Sequence, residues 1–246
     1  MDTSNRKNIA ILSFALIVVM LGYGMVIPLF PFYIEKLGAG GSHLGLLIST
    51  SALLELIFGP IWGSVSDRTG RKPILLLGLL GYSLSSLLFG LSTELWMLFA
   101  SRAFSGVLSS ATAATALAYI SDSTSERDRG GGMGMLGAAA GLGLILGPAA
   151  GGWLGSSSLA LPFFIAAGSS LLALVLAALW LPESLPAEAR QQTGRVRTID
   201  LSALWRALCG PIGLLLFLLL VNWFGRCNSE SIFGLYAAQV LDYGPE

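Results

Sequence analysis

The sequence predicts an all-α integral membrane protein: a six-helix bundle followed by one further transmembrane helix. Three observations lead there. The 246 residues are 54% hydrophobic and only 11% charged, against roughly 25% charged in soluble domains. So few charges cannot cover a water-facing surface, so lipid must solvate most of it. The apolar residues gather into seven stretches of spanning length. Finally, 31 glycines supply the small residues that let helix backbones approach closely in lipid.

The stretches are Ile9–Ile34, Leu44–Val65, Pro73–Leu91, Leu95–Ile120, Gly131–Leu154, Leu159–Leu181 and Gly210–Ala238. The first follows a polar start carrying Arg6 and Lys7. It is too long for the core of a signal peptide and is followed by further spans. It carries no charge and offers Tyr23, Met25, Phe30 and Tyr33, with Pro28 and Pro31. The second holds Glu55, the only acid well inside the first six spans, and the fourth holds Arg102. An ionised group inside a span costs at least ~2.5 kcal/mol, so each should face a cavity or a partner. Glu55 and Arg102 are each other's nearest candidates, either as a fixed pair or as a proton-carrying carboxyl beside a cation. The seventh stretch carries Asn222, and Arg226 with Glu230 at helical i,i+4 spacing.

Lysine and arginine set the orientation. With the N-terminus in the cytoplasm, the inner segments hold Arg6, Lys7, Arg68, Arg71, Lys72, Arg127, Arg129, Arg190, Arg195, Arg197 and Arg206, while the outer loops hold only Lys36. A multi-pass protein of the cell (inner) membrane is expected. Residues 1–185 form the bundle, 186–209 a cytoplasmic linker, and 210–246 one further helix. In the linker, Asp200 is placed to cap a short helix, whose Leu201, Leu204, Trp205 and Leu208 share one face suited to the membrane surface.

Net charge is +0, which implies no bulk attraction to nucleic acid. Cys209 and Cys227, if on one helix, lie roughly 27 Å apart by helical rise and cannot pair. His43, the one histidine, is expected on a solvated loop. No metal site and no nucleophile–base set is present to support enzyme chemistry.

Two patterns carry mechanism. Gly63, Asp67, Arg68, Gly70, Arg71 and Lys72 form a tight inner turn between the second and third spans. Gly63 permits close packing, Gly70 permits positive φ, and Asp67 and Arg71 are close enough to pair. In the fifth span Gly134, Gly143, Gly147, Pro148, Gly151 and Gly152 give a bare face and a proline kink. The Gly147-Pro148 pair echoes Gly59-Pro60 of the second span. Each is the middle helix of a set of three, and the sets cross in opposite senses, as in inverted-repeat transporters.

The inner turn resembles the signature loop of the major facilitator superfamily at every defined position. The fifth-span glycines resemble that family's antiporter motif, and Arg102-Ala-Phe-Ser-Gly106 partly resembles its R-x-x-Q-G element, with Ser105 replacing the glutamine. The first helix is similar to that of multidrug and tetracycline-type exporters. The resemblance implies a latch of Asp67 and Arg71 with Asp122 as third member, in which the acid caps a helix of the opposite bundle. It further implies a role for Arg102 in proton transfer, with Glu55 the partner that the residues themselves supply, and a cavity lined by Tyr23, Met25, Phe30 and Asn222. It also implies that residues 210–246 are the first helix of an incomplete C-terminal bundle. No cofactor is implied, the proton gradient being the energy source. The implied partners are protons, the bilayer, a small lipophilic or amphipathic solute, and the missing C-terminal helices. Three readings stand: part of a longer proton-coupled drug exporter, a half-transporter acting as an oligomer, or a non-transporting membrane sensor or assembly subunit.

Overall fold

The computed structural model describes residues 3–124, 126–186, 188, 190 and 201–240, without side chains for 3–7, 126–129, 201–204, 226–235 and 237–240. Asp200, Arg195, Arg197 and the side chains of Arg127, Arg129, Arg226, Cys227 and Glu230 lie outside the described residues.

The described elements are all helical: α1 (Thr3–Val26), α2 (Phe30–Lys36), α3 (Gly41–Thr69), α4 (Arg71–Gly90), α5 (Leu95–Leu108), α6 (Ser110–Ser123), α7 (Glu126–Ser157), α8 (Leu161–Trp180), α9 (Leu201–Leu208) and α10 (Gly213–Val240). Among the described residues, six helices or helix pairs are long and apolar enough to cross a membrane. They fall on the first six predicted stretches. Helix α10 has 28 residues, of which Gly213–Gly225 is the described apolar part.

Two spans are interrupted. The first passes from α1 to α2 through a 3-10 turn, Ile27–Leu29. Pro28 and Pro31 lack the amide hydrogens that would continue the ladder. The ladder of the fourth span is interrupted at Ser109, between α5 and α6, where the sequence has neither proline nor glycine; Ser109 itself keeps helical dihedrals and donates to the Ser105 carbonyl at 2.8 Å. By contrast, Pro60 and Pro148 lie inside continuous helices α3 and α7.

The chief helix contacts pair α1 with α7 and α8, α4 with α8, and the fourth span with α3 and α4. Exchanging the first three spans for the last three maps this set onto itself: first-on-fifth becomes fourth-on-second, and third-on-sixth is unchanged. A reciprocal pair of serines marks the third–sixth contact. Ser83 on α4 donates to the Ala167 carbonyl on α8 at 2.8 Å, and Ser170 on α8 donates to the Leu79 carbonyl on α4 at 2.9 Å. The serines are 87 positions apart (170 minus 83), against 88 for the two Gly-Pro pairs (147 minus 59).

Packing in the bundle forms two cores. Toward the cytoplasmic side of the predicted orientation, Leu12, Leu75, Leu79, Tyr119, Ala173 and Ala177 come together. Toward the other side lie Phe30, Tyr33, Phe89, Leu98 and Phe163. There Phe89 stacks on Phe163 at 4.4 Å between centroids and lies 5.2 Å from Phe30. The Tyr33 hydroxyl donates to the Gly90 and Ser92 carbonyls.

Candidate functional site

Three groups of residues gather the chemistry. The first is built on the turn between α3 and α4. Helix α3 ends at Thr69, and a single residue, Gly70, separates it from Arg71 at the start of α4. Gly70 has φ +106°, a conformation that a side chain disfavours, while its N–H still donates to the Ser66 carbonyl. The reversal brings Arg71 back over the end of α3. Its Nη1 reaches Asp67 Oδ1 at 2.6 Å and Ser66 Oγ at 2.7 Å. Its Nε reaches Asp122 Oδ2, at the end of α6, at 2.7 Å. One buried guanidinium thereby ties the second, third and fourth spans, using the fork geometry that suits arginine to two acids at once.

Glu183, just past α8, completes the group and was missed by sequence reasoning. Its Oε1 accepts the Arg71 N–H at 2.7 Å and its Oε2 accepts the Lys72 N–H at 3.2 Å. These are amides that a helix N-terminus leaves orphaned. Gly70 carries no side chain to satisfy them, so an acid from the sixth span caps α4. A Cβ at Gly70 would collide with this carboxylate. Lys72 Nζ donates to the Ala178 carbonyl at 2.7 Å, and Tyr119 donates to the Pro182 carbonyl at 2.7 Å. The signal available in the sequence was an acid two residues beyond the sixth predicted stretch, on the same side as the Asp67–Lys72 turn. Arg68 is half-buried. Gly63 differs from expectation, since a Cβ there would meet nothing within 4 Å.

The second group is Glu55 and Arg102. Glu55 lies fourteen residues from either end of α3 (55 minus 41, 69 minus 55) and is exposed on the bundle surface. Among the described residues no close ion pair joins it to Arg102, so the fixed-pair alternative is not formed, although the two charges still interact electrostatically. Arg102 instead lays its guanidinium over Phe30 at 4.3 Å and near Phe89 at 5.2 Å. Its Nε is buried without a hydrogen-bond partner. The faces of Phe30 and Phe89 hold the cation in the bundle.

The third group is the glycine face of α7. A Cβ on Gly143 would come within 2.7 Å of the Ile17 carbonyl oxygen, and one on Gly147 within 2.6 Å of Gly24 Cα. One on Gly151 would collide with the Met25 backbone. These positions recur every four residues and lie along α1. Gly134 does not share that face: nine residues before Gly143, it lies about 180° around the helix, and a Cβ there would meet nothing within 4 Å. Pro148 is exposed and Gly152 is half-buried.

The predicted cavity residues divide. Tyr23 is 44% exposed, and Asn222 is exposed on α10. Met25 and Phe30 are 1% and 2% exposed and do not line an open surface. Met25 is packed under the α7 glycines and Phe30 belongs to the aromatic stack, so both are corrected to bundle packing. His43 is half-buried with Nδ1 lacking a partner, and so is less solvated than expected. Cys209 is exposed and precedes α10, so it does not share that helix with Cys227.

Comparison with known proteins identifies this architecture. The profile described as Major Facilitator Superfamily matches residues 12–245. The chain belongs to that superfamily. Multidrug resistance protein 1 of Bacillus subtilis (strain 168) is 35% identical over 94% of this chain and 59% of its own length. Tetracycline resistance protein, class B, of Escherichia coli is 41% identical over 69% of this chain and 44% of its own length. The chain thus spans about half the length of the curated relatives it matches. Among solved structures, a bacterial homolog of the human lysosomal transporter Spinster, inward-facing and unoccupied, aligns with TM-score 0.82 at 16% identity, covering 100% of this chain and 58% of that one. The human organic anion transporter MFSD10 (TETRAN) aligns with TM-score 0.76 at 23% identity, covering 99% and 67%. These share the fold, that of a multi-pass membrane protein.

Proposed function

We propose that this superfamily chain forms the N-terminal part of a proton-coupled exporter of small amphipathic, drug-like solutes, working by alternating access. The observation that carries the reading is the close seating of Gly143, Gly147 and Gly151 on α1, beside Pro148 and within the motif that resembles the antiporter pattern. Such a seam lets two spans slide or bend together without side chains interlocking. The names of the curated relatives, multidrug, tetracycline and quinolone resistance proteins, supply the solute class. Arg71, held between Asp67 and Asp122, serves as the inner latch that one conformation makes and the other strains. Glu55, open at the middle of α3, is the proton carrier. An exposed carboxyl at membrane depth is costly when charged, and protonation removes that cost.

The test is gradient-driven dye export by the full-length protein in everted vesicles, wild type against Glu55→Gln. Loss of gradient-driven export with dye binding retained is expected. Coupling unchanged in Glu55→Gln removes Glu55 from the mechanism, and a wild type indifferent to the gradient removes proton coupling altogether.

A further inference from the structure

The break in the fourth span has a cause outside its own sequence. Helices kink where a side chain enters the backbone ladder. At this break the Val107 carbonyl accepts the indole Nε1–H of Trp62, from α3, at 2.5 Å, and the Ser110 hydroxyl at 3.0 Å. Below the break the ladder resumes with a tighter step, Thr112 N–H donating to the Ser109 carbonyl at 3.0 Å. The Thr112 and Thr115 hydroxyls are buried there without partners. Close packing seats the broken turn on α4: a Cβ on Gly78 would meet the Thr112 backbone nitrogen at 2.7 Å, and one on Gly81 would collide with Leu108.

The break divides the fourth span by role. Arg102 rides on α5 and Asp122 on α6, whereas Glu55, Trp62 and Asp67 all belong to the single continuous helix α3. Just outward of the indole contact, α3 and α5 touch at backbone range: a Cβ on Gly106 would come within 2.6 Å of the Ser51 carbonyl oxygen.

We infer that Trp62 is a positioning residue whose indole N–H holds the fourth span broken at Ser109, so that the half carrying Arg102 moves with α3 and its Glu55. Released from Trp62, the Val107 carbonyl is free to accept an amide of the following turn. The ladder then closes across Ser109 and Arg102 shifts relative to Glu55. The transport consequence rests on the proton-coupled reading above; the mechanical one does not.

The experiment uses the full-length protein with Trp62→Phe, which keeps an aromatic ring but no donor, and Trp62→Gln, which keeps a donor. Electron-spin distances are measured between labels at the exposed positions Leu53 on α3 and Trp96 on α5. Gradient-driven accumulation and gradient-free substrate counterflow are measured in proteoliposomes. Trp62→Phe is expected to broaden the distance distribution and lower gradient-driven accumulation about tenfold, as for the loss of one net hydrogen bond, while counterflow persists. Trp62→Gln is expected to restore both. An unchanged distance distribution in Trp62→Phe overturns the inference, as does equal loss of accumulation and counterflow in both variants, which marks general packing. If wild-type transport ignores the gradient, the export reading fails and the spin distances alone decide the role of Trp62.

Discussion

Replacing Gly147 by alanine tests the seam between α1 and α7 directly. The added methyl would lie 2.6 Å from Gly24 Cα, 2.7 Å from Gly24 C and 2.8 Å from the Met25 nitrogen. All three are backbone atoms, so no side chain can swing away. Ordinary carbon contacts begin at about 3.5 Å, so the helices must separate by roughly 0.9 Å. A gap of that size forfeits a quarter to a half of each contact's attraction along the seam, and overpacking of this kind costs about 1–3 kcal/mol. Gly134→Ala is the matched control. It belongs to the same sequence motif, but its Cβ would enter open space, and helix propensity alone favours alanine by about 1 kcal/mol. Thermal unfolding of the purified full-length protein, followed by tryptophan fluorescence, should show a clear fall for Gly147→Ala and no fall for Gly134→Ala. Equal midpoints would refute the packing account and leave the motif's six positions equivalent.

Two further outcomes are expected. Glu183→Gln should weaken the cap on α4, because a neutral amide replaces a carboxylate facing two helix-terminal N–H groups; about 1 kcal/mol is at stake, read as faster amide exchange at Arg71 and Lys72. Phe30→Leu should remove the nearer aromatic face from Arg102 while keeping the site apolar, at a cost of about 0.5–2 kcal/mol in unfolding midpoint.

Span positions were legible in the sequence because long apolar runs admit few alternatives to a membrane helix. The inner turn was equally legible, since Asp67, Gly70 and Arg71 act over five residues and their geometry is largely local. What was not legible depended on partners distant along the chain. Nothing within Val107–Ser110 announces a break, because the indole that enters the ladder belongs to another helix. Met25 and Phe30 looked like cavity residues because an apolar side chain in a membrane helix carries no mark of whether it faces lipid, cavity or neighbour. The α7 glycines determine that answer for Met25, and Phe89 and Phe163 for Phe30. Glu183 stood just beyond the sixth span, and its role exists only once that span returns to the start of the third. The same distance effect hid that Glu55 and Arg102 interact across the bundle without forming a fixed ion pair.

The one-residue connection at Gly70 leaves the polypeptide no slack. Adding a single residue there would lengthen the turn by up to about 3.5 Å and displace the start of α4. That would carry Ser83 away from Ala167 and remove the Arg71 and Lys72 amides from Glu183. Chain length at this point is therefore as strongly constrained as chemistry. Epitope tags, protease sites and split-protein junctions placed between α3 and α4 should not be tolerated, and natural insertions should be absent from the same place.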